Sequence, residues 1–453
     1  MKKFLSILTV CALFLSLVAC SDSASSNKDE KNEEKKITLK YANWNLNSED
    51  KINIDKLMIE EFEKKNKNID IVIDESIDPN DWEGSLAAAA SAGKLPDVFM
   101  ISNIPVALKN DWLLDITELT EKDEEWNKIA PAVRETVVTN DKGYAVPFAQ
   151  YMFGYIINKD LFNQENLDIP TYGWSVDQFF SSMKALSNPE KNMIGTGRVD
   201  PIVDWYPYAM SDDLGFSSFD GEKFNFNSKE FIEGVNLSFN AAKNDYAFDH
   251  LSDEKKAQFD GEAQLDVFKA GQIGMYYDLT WGLSRINDSV SFDWDFVGIP
   301  GGKNILANDY LGIAATTKEK EAAYEFAKWM SFSKEGFMKR MELAVENDAP
   351  LTSLPISTDQ EVVDQYFEIL DVPGLRAAYD NIEQSIVEPV KFVPGFDAAK
   401  EATTGVKVGD INNAKVREII TNAAYEGDIK IEDYANQINE LSNKVFAEAN
   451  QGL

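Results

Sequence analysis

The amino-acid sequence predicts an α/β fold, and three observations in residues 37–101 carry that reading. Ile37, Leu39 and Tyr41 alternate as in a strand. Ile54, Leu57, Met58 and Phe62 then recur at helical spacing, and Ile69, Ile71 and Ile73 alternate again, which makes a β-α-β unit. An alanine-rich helix from Leu86 to Ala92, stopped near Gly93, leads into a buried strand over Pro96–Ile101. Strands joined by crossover helices build a mostly parallel sheet.

Further along the chain, Asn140-Asp141-Lys142-Gly143 reads as a turn into Tyr144–Pro147, and Asp220-Gly221 between Phe219 and Phe224 as a hairpin. Leu311 to Ala315 reads as a strand. Thr316 and Glu319 have the spacing of a capping box for a helix whose apolar face is Ala323, Phe326, Ala327 and Met330. Val416, Ile419, Ile420 and Ala423 form an amphipathic face that ends at Gly427, and Ile431, Tyr434, Ile438, Leu441 and Val445 form another. The chain is expected to end in helices.

The N-terminal residues read differently. Lys2 and Lys3 precede an apolar run from Phe4 to Ala19, the pattern of a secretory signal over residues 1–19. Ser21 to Lys36 carries almost no apolar anchor, so residues 20–36 are expected to be a solvated tether. Cys11 falls in the expected signal, which leaves Cys20 as the sole later cysteine, with no disulfide or thiolate metal site.

The length of 453 residues is ample for two or three globular units, and a net charge of −33 disfavours nucleic acid and anionic membrane surfaces as partners. The chain has a single histidine, His250, and lacks G-x-S-x-G, HExxH and P-loop motifs. Nucleophilic triads and histidine metal centres are thereby excluded. No metal or other cofactor is expected; Asp123-Glu124-Glu125 lacks the ligand spacing and glycine of an EF-hand loop. A glycosidase would need only two carboxylates and stays open as an alternative, as does a lipid-anchored surface adhesin.

Several segments, in order, resemble the extracellular solute-binding proteins of carbohydrate ABC importers, the maltose-binding-like family. Leu17-Val18-Ala19-Cys20 resembles a lipobox. Gly93–Phe99 resembles the G-x-x-PD segment, Val146-Pro147 with Tyr155–Phe162 the P-x(n)-YNKDLF segment, and Thr171–Phe179 the PxTWDEF helix start. Phe268–Met275 matches F-x-x-G-x-x-GM, with Trp281 six residues beyond the methionine, and Gly298-Ile299-Pro300-Gly301-Gly302 follows. Departures are Ile156-Ile157 after Tyr155 and Gly173 inside the Thr-Trp pair.

The resemblance implies a two-lobe periplasmic-binding-protein-like (type II) fold with a hinge and an interlobe cleft. The lobes would comprise 37–148 with 301–356, and 149–300 with 357–453. Crossings are expected near Ala149–Tyr155, near Pro300–Asn304 and between Leu354 and Pro373, with Gly301 and Gly302 as hinge candidates or a plain loop. It also implies a non-enzymatic monomer, lipidated (palmitate) at Cys20 and held at the cell membrane on the extracytoplasmic face by lipid alone. Its partners would be a sugar or oligosaccharide and the ABC permease subunits.

Ligands in open α/β sheets collect beyond the carboxyl ends of strands, which selects Trp44, Asn45, Ser102 and Asn103. Sugar rings present C–H faces flanked by hydroxyls and suit an aromatic platform bordered by polar groups. On that ground, and by position in the family, Trp205 and Trp281 are the expected stacking residues, with core packing as the competing reading for each. Gln150 and Tyr151 at the first crossing and Asp278 complete the candidate set; Asp309 is a further acceptor. Arg198 or Arg285 would serve an acidic sugar, and the scarcity of arginine leans towards a neutral one.

Overall fold

A computed structural model describes residues 36–47, 52–287 and 289–451. The expected signal segment, Cys20 and the tether up to residue 35 lie outside the described residues. As the periodicity requires, β1 (Ile37–Ala42), helix α1 (Ile54–Lys65) and β2 (Ile69–Ile73) form a β-α-β unit, with β1 and β2 parallel. Asn53 caps α1 by accepting from the Lys56 amide, and the helix buries Met58, Ile59 and Phe62. Helix α2 (Trp82–Ser91) starts four residues before the expected Leu86; β3 (Val98–Ile101) then pairs in parallel with β1 and leads into helix α3 (Ile104–Lys109).

The next strand decides the architecture. β4 (Ala145–Asn158) is 14 residues long and buried almost throughout, because its sequence is apolar on both faces. Past the short strand β5 (Ile194–Thr196), helix α4 (Asp200–Met210), β6 (Ile273–Leu279), β7 (Trp294–Phe296) and β8 (Ile305–Ile313), its partners become clear. Ala145 to Met152 pair antiparallel with β8, whereas Phe153 to Ile157 pair with β6, and β7 joins at Ile156–Asn158. The partner exchange between Met152 and Phe153 lies inside the expected crossing at Ala149–Tyr155. One strand thus serves two arms of a nine-stranded sheet in the order β2-β1-β3-β8-β4-β6-β5. Pro147, which has no N–H to donate, sits at the bulge opposite Asp309 and Tyr310. Gly154 is required where β4 meets β7: an added Cβ would lie 2.4 Å from the Phe296 ring and 2.6 Å from the Gly298 Cα.

The Asn140-Asp141 turn is present, with both residues at positive φ between strands Val138–Thr139 and Lys142–Gly143. Helix α5 (Lys320–Met330) buries the expected face, but the expected capping box at Thr316 does not form. Thr317 instead accepts from the Glu319 amide and donates to Asp97, which ties the helix start to the residue that precedes β3. Helix α6 (Lys334–Glu346) packs on α1.

The apolar side chains of residues 357–387, among them Val362, Tyr366 and Tyr379, join the buried cluster that contains Leu39, Phe99 and Phe326. Gly374 donates to Asp295 and the Ala378 carbonyl accepts from Asn304, so this segment touches the expected crossing before β9 (Ile386–Val387) pairs in parallel with Ile305–Leu306. Beyond it, helix α7 (Phe396–Glu401) and helix α8 (Ile431–Ala449) close a second cluster around Tyr155, Trp205 and Phe224. Gly427 ends the preceding helical turn at φ 77°. Among the described residues, no helix is long and apolar enough to cross a membrane.

Candidate ligand site

The exchange of partners along β4 brings its middle, the end of β6 and the start of β8 to one place. Successive strand residues point to opposite faces, so Gln150 and Tyr151 cannot share a site. Tyr151 turns towards Trp281, with ring centroids 5.9 Å apart at 55°, and its hydroxyl donates to Asp309 on β8 at 3.4 Å. Burial and the Asp309 charge hold the phenol well above its usual range, so it stays a hydrogen-bond donor.

Gln150 goes the other way. It is 1% exposed, and its amide nitrogen donates to the Pro355 carbonyl at 3.1 Å, so it binds the chain behind the hinge rather than a ligand. This corrects the sequence expectation.

Trp281 lies in the short 3-10 turn Thr280–Gly282 that ends β6, and it is 49% exposed. An indole of that size left half in water on a folded surface offers a platform. Its N–H donates to Asp278 at 3.0 Å, which fixes the ring plane, and Arg285 approaches the other oxygen of Asp278 at 3.9 Å. Beside them Lys391 pairs with Asp309.

Trp205 is a second correction. It is fully buried, donates its N–H to the Tyr155 hydroxyl at 3.1 Å and packs edge-on against Phe179. No ring face is left for a sugar. Its neighbour on α4, Asp204, points elsewhere: it accepts from Ser217 and lies 3.9 Å from the Lys400 ammonium. One turn earlier, Asp200 takes both arms of the Arg198 guanidinium, which raises the arginine further above its ordinary range. His250 lies tilted against Tyr425 with ring centroids 5.0 Å apart, and burial lowers its pKa.

The residues after β1 and β3 gather on the other side. Trp44 is half-buried and meets Trp82 edge-on at 5.2 Å. Asn45 donates its backbone N–H to the Asn43 side chain, and its carbonyl accepts from Asn53. Ser102 donates to Glu83 at 2.7 Å. Asn103 caps α3 by accepting from the Val106 amide at 3.0 Å and lines a groove of about 400 Å³. Val106 and Lys109 continue one wall of that groove, and Val390, Val393 and Phe396 form the other. Val390 of this wall is followed in the chain by Lys391, which pairs with Asp309 of the Tyr151–Trp281–Asp309 cluster.

Nothing in the sequence marks Lys391, since Val387–Lys391 carries no periodicity that points to a site. Among the described residues, no three histidine, cysteine, aspartate or glutamate side chains gather to hold a metal ion.

With the shared strand and this cluster in view, the comparisons with known proteins define the class. The profile of the bacterial extracellular solute-binding protein matches residues 48–336, and the chain belongs to that family, whose members bind substrates and do not transform them. The maltotriose-binding protein of Pyrococcus abyssi (strain GE5 / Orsay) is 23% identical over 377 residues, which span 77% of each chain. An ABC substrate-binding protein of Listeria monocytogenes in complex with cycloalternan superposes with a TM-score of 0.66 at 21% identity, over 91% of this chain and 100% of that one. The sugar-binding protein MalE of Xanthomonas citri gives 0.68 at 14%, over 91% and 98%. The fold is therefore the two-lobed α/β type II architecture expected from the sequence.

Proposed function

We propose that this protein captures a neutral oligosaccharide, of the α-glucan class, and hands it to the permease of an ABC importer. The observation that carries the reading is Trp281: a half-exposed indole held in plane by Asp278, next to Tyr151 and the Asp309–Lys391 pair. A flat ring bordered by hydroxyl-binding groups suits the C–H face and rim of a pyranose. The maltotriose and cycloalternan named for its relatives support the glucan class. Lys391, Arg285, Lys400 and Arg198 each face a carboxylate, which favours an uncharged ligand.

Binding in this reading is capture by closure. One half comprises 37–148 with 301–356, and the other 149–300 with 357–453; within the latter, Gln360–Ile369 packs on α6 of the first half and Pro373–Tyr379 on β7 of the second. The halves turn about the middle of β4 and about Gly301-Gly302, both at positive φ. Closure creates the surface that the permease recognises, because only contacts stronger in the closed form shift the equilibrium. The protein acts as a monomer on the extracytoplasmic face, anchored through lipid on Cys20.

A thermal-shift screen of neutral glycans that includes maltotriose and cycloalternan tests the reading. A ligand at 100 times its Kd stabilises by about 2.7 kcal/mol and raises the melting temperature. No shift with any glycan contradicts it.

A further inference from the structure

The carboxylates of Asp309, Asp278, Asp204 and Glu388 are of two kinds. Asp309, Asp278 and Asp204 each face a cation, respectively Lys391, Arg285 and Lys400. Glu388 is different: among the described residues its carboxylate has no hydrogen bond and no ion pair, although the side chain is half-buried. Its position is fixed from the backbone, where its N–H donates to the Leu306 carbonyl at 2.8 Å; one residue beyond the Leu306–Val387 pair, it stands level with Ala307, the β8 partner of Tyr151. The charged and titratable groups whose fields reach it come from four elements. Lys391 lies on its own turn, Asp204 on α4, and Lys400 and Asp397 on α7; the Tyr310 phenol comes from β8.

We propose that Glu388 is a ligand-binding residue whose carboxylate accepts the hydroxyl hydrogens of the bound sugar, and that binding expels a proton from it to solvent. The inference rests on the sugar reading of this site. No bond of the ligand changes: the carboxylic acid loses H⁺, the carboxylate stays, and the sugar O–H groups supply the hydrogen bonds that the protein does not. Burial first, then the Asp204 and Asp397 charges, push Glu388 up to about 7 against the pull of Lys391 and Lys400. Below pH 7 a neutral carboxyl is therefore the cheaper occupant of that half-buried position in the free protein. Hydroxyl donors arriving with the ligand favour the ionised form and lower its pKa.

The test is calorimetry of the full chain with maltotriose. For a group that titrates near 7 when free and well below 6 when bound, linkage makes binding about tenfold tighter at pH 8 than at pH 6. Near pH 7 about half a proton is released, read as a difference in heat between buffers of unlike ionisation enthalpy. Glu388→Gln, which keeps the shape and cannot ionise, should bind more weakly at pH 8 and lose both the pH dependence and the proton release. The proton count on the unaltered protein needs no variant. Equal affinity at pH 6 and 8 with no proton release overturns the inference and leaves the sugar reading standing, as does a Glu388→Gln protein that keeps the wild-type profile. Absence of binding at either pH, by maltotriose and by every other glycan of the thermal-shift screen, overturns both.

Discussion

Two tryptophans, equal in the sequence, have opposite duties in the folded chain. Trp281 stands half in water with its N–H committed to Asp278, whereas Trp205 is enclosed and bonded to Tyr155. Trp281→Ala should therefore cost about 2 to 4 kcal/mol of sugar binding, the scale of an aromatic hot spot, and change stability by less than about 0.5 kcal/mol. Trp205→Ala should do the reverse and lose about 3 to 5 kcal/mol of folding stability. Calorimetric affinity and denaturant unfolding on both variants decide the matter; loss of binding from Trp205→Ala at unchanged stability would refute the assignment. The sequence held part of this distinction. Trp281 was legible from its distance past a strand, whereas Trp205 and Asp204 are neighbours on one helix, and an isolated tryptophan does not reveal which face the helix buries.

The elements themselves were legible wherever one face is apolar. β1, α1, β2, β3, α5 and the C-terminal helices all fall where alternation or the 3.6-residue period puts them. Pairing was not, because the exchange of partners in β4 depends on strands more than a hundred residues away and leaves no local mark. Nor were the polar contacts between elements. Asp55 on α1, which is buried, accepts from Arg340 on α6 at 2.7 Å and from Asn43 at 3.2 Å. Nothing in either helix announces that tie. Arg340→Ala leaves Asp55 as a buried charge without its cation and should destabilise the fold by about 3 to 5 kcal/mol. Replacing both partners by apolar residues should cost much less; equal losses in chemical denaturation would show that the pair is not what binds α1 to α6.

At the scale of the whole molecule, the sheet is a single connected object with two arms, and the connection is one strand. A strand shared between arms lets each arm stay rigid while the angle between them changes at a few backbone torsions, which is the geometry of hinge closure. Tyr151 and Asp309 lie at that shared segment, Trp281 and Asp278 on the β6 arm, and Trp44 and Ser102 on the β1–β3 arm. A ligand that touches all three sets gains contacts only when the arms approach, so its binding energy drives closure. Small-angle X-ray scattering of the soluble chain, recorded with and without saturating maltotriose, measures this directly. The account predicts a smaller radius of gyration with sugar bound; a profile that does not change at saturation, confirmed by calorimetry on the same sample, would contradict it.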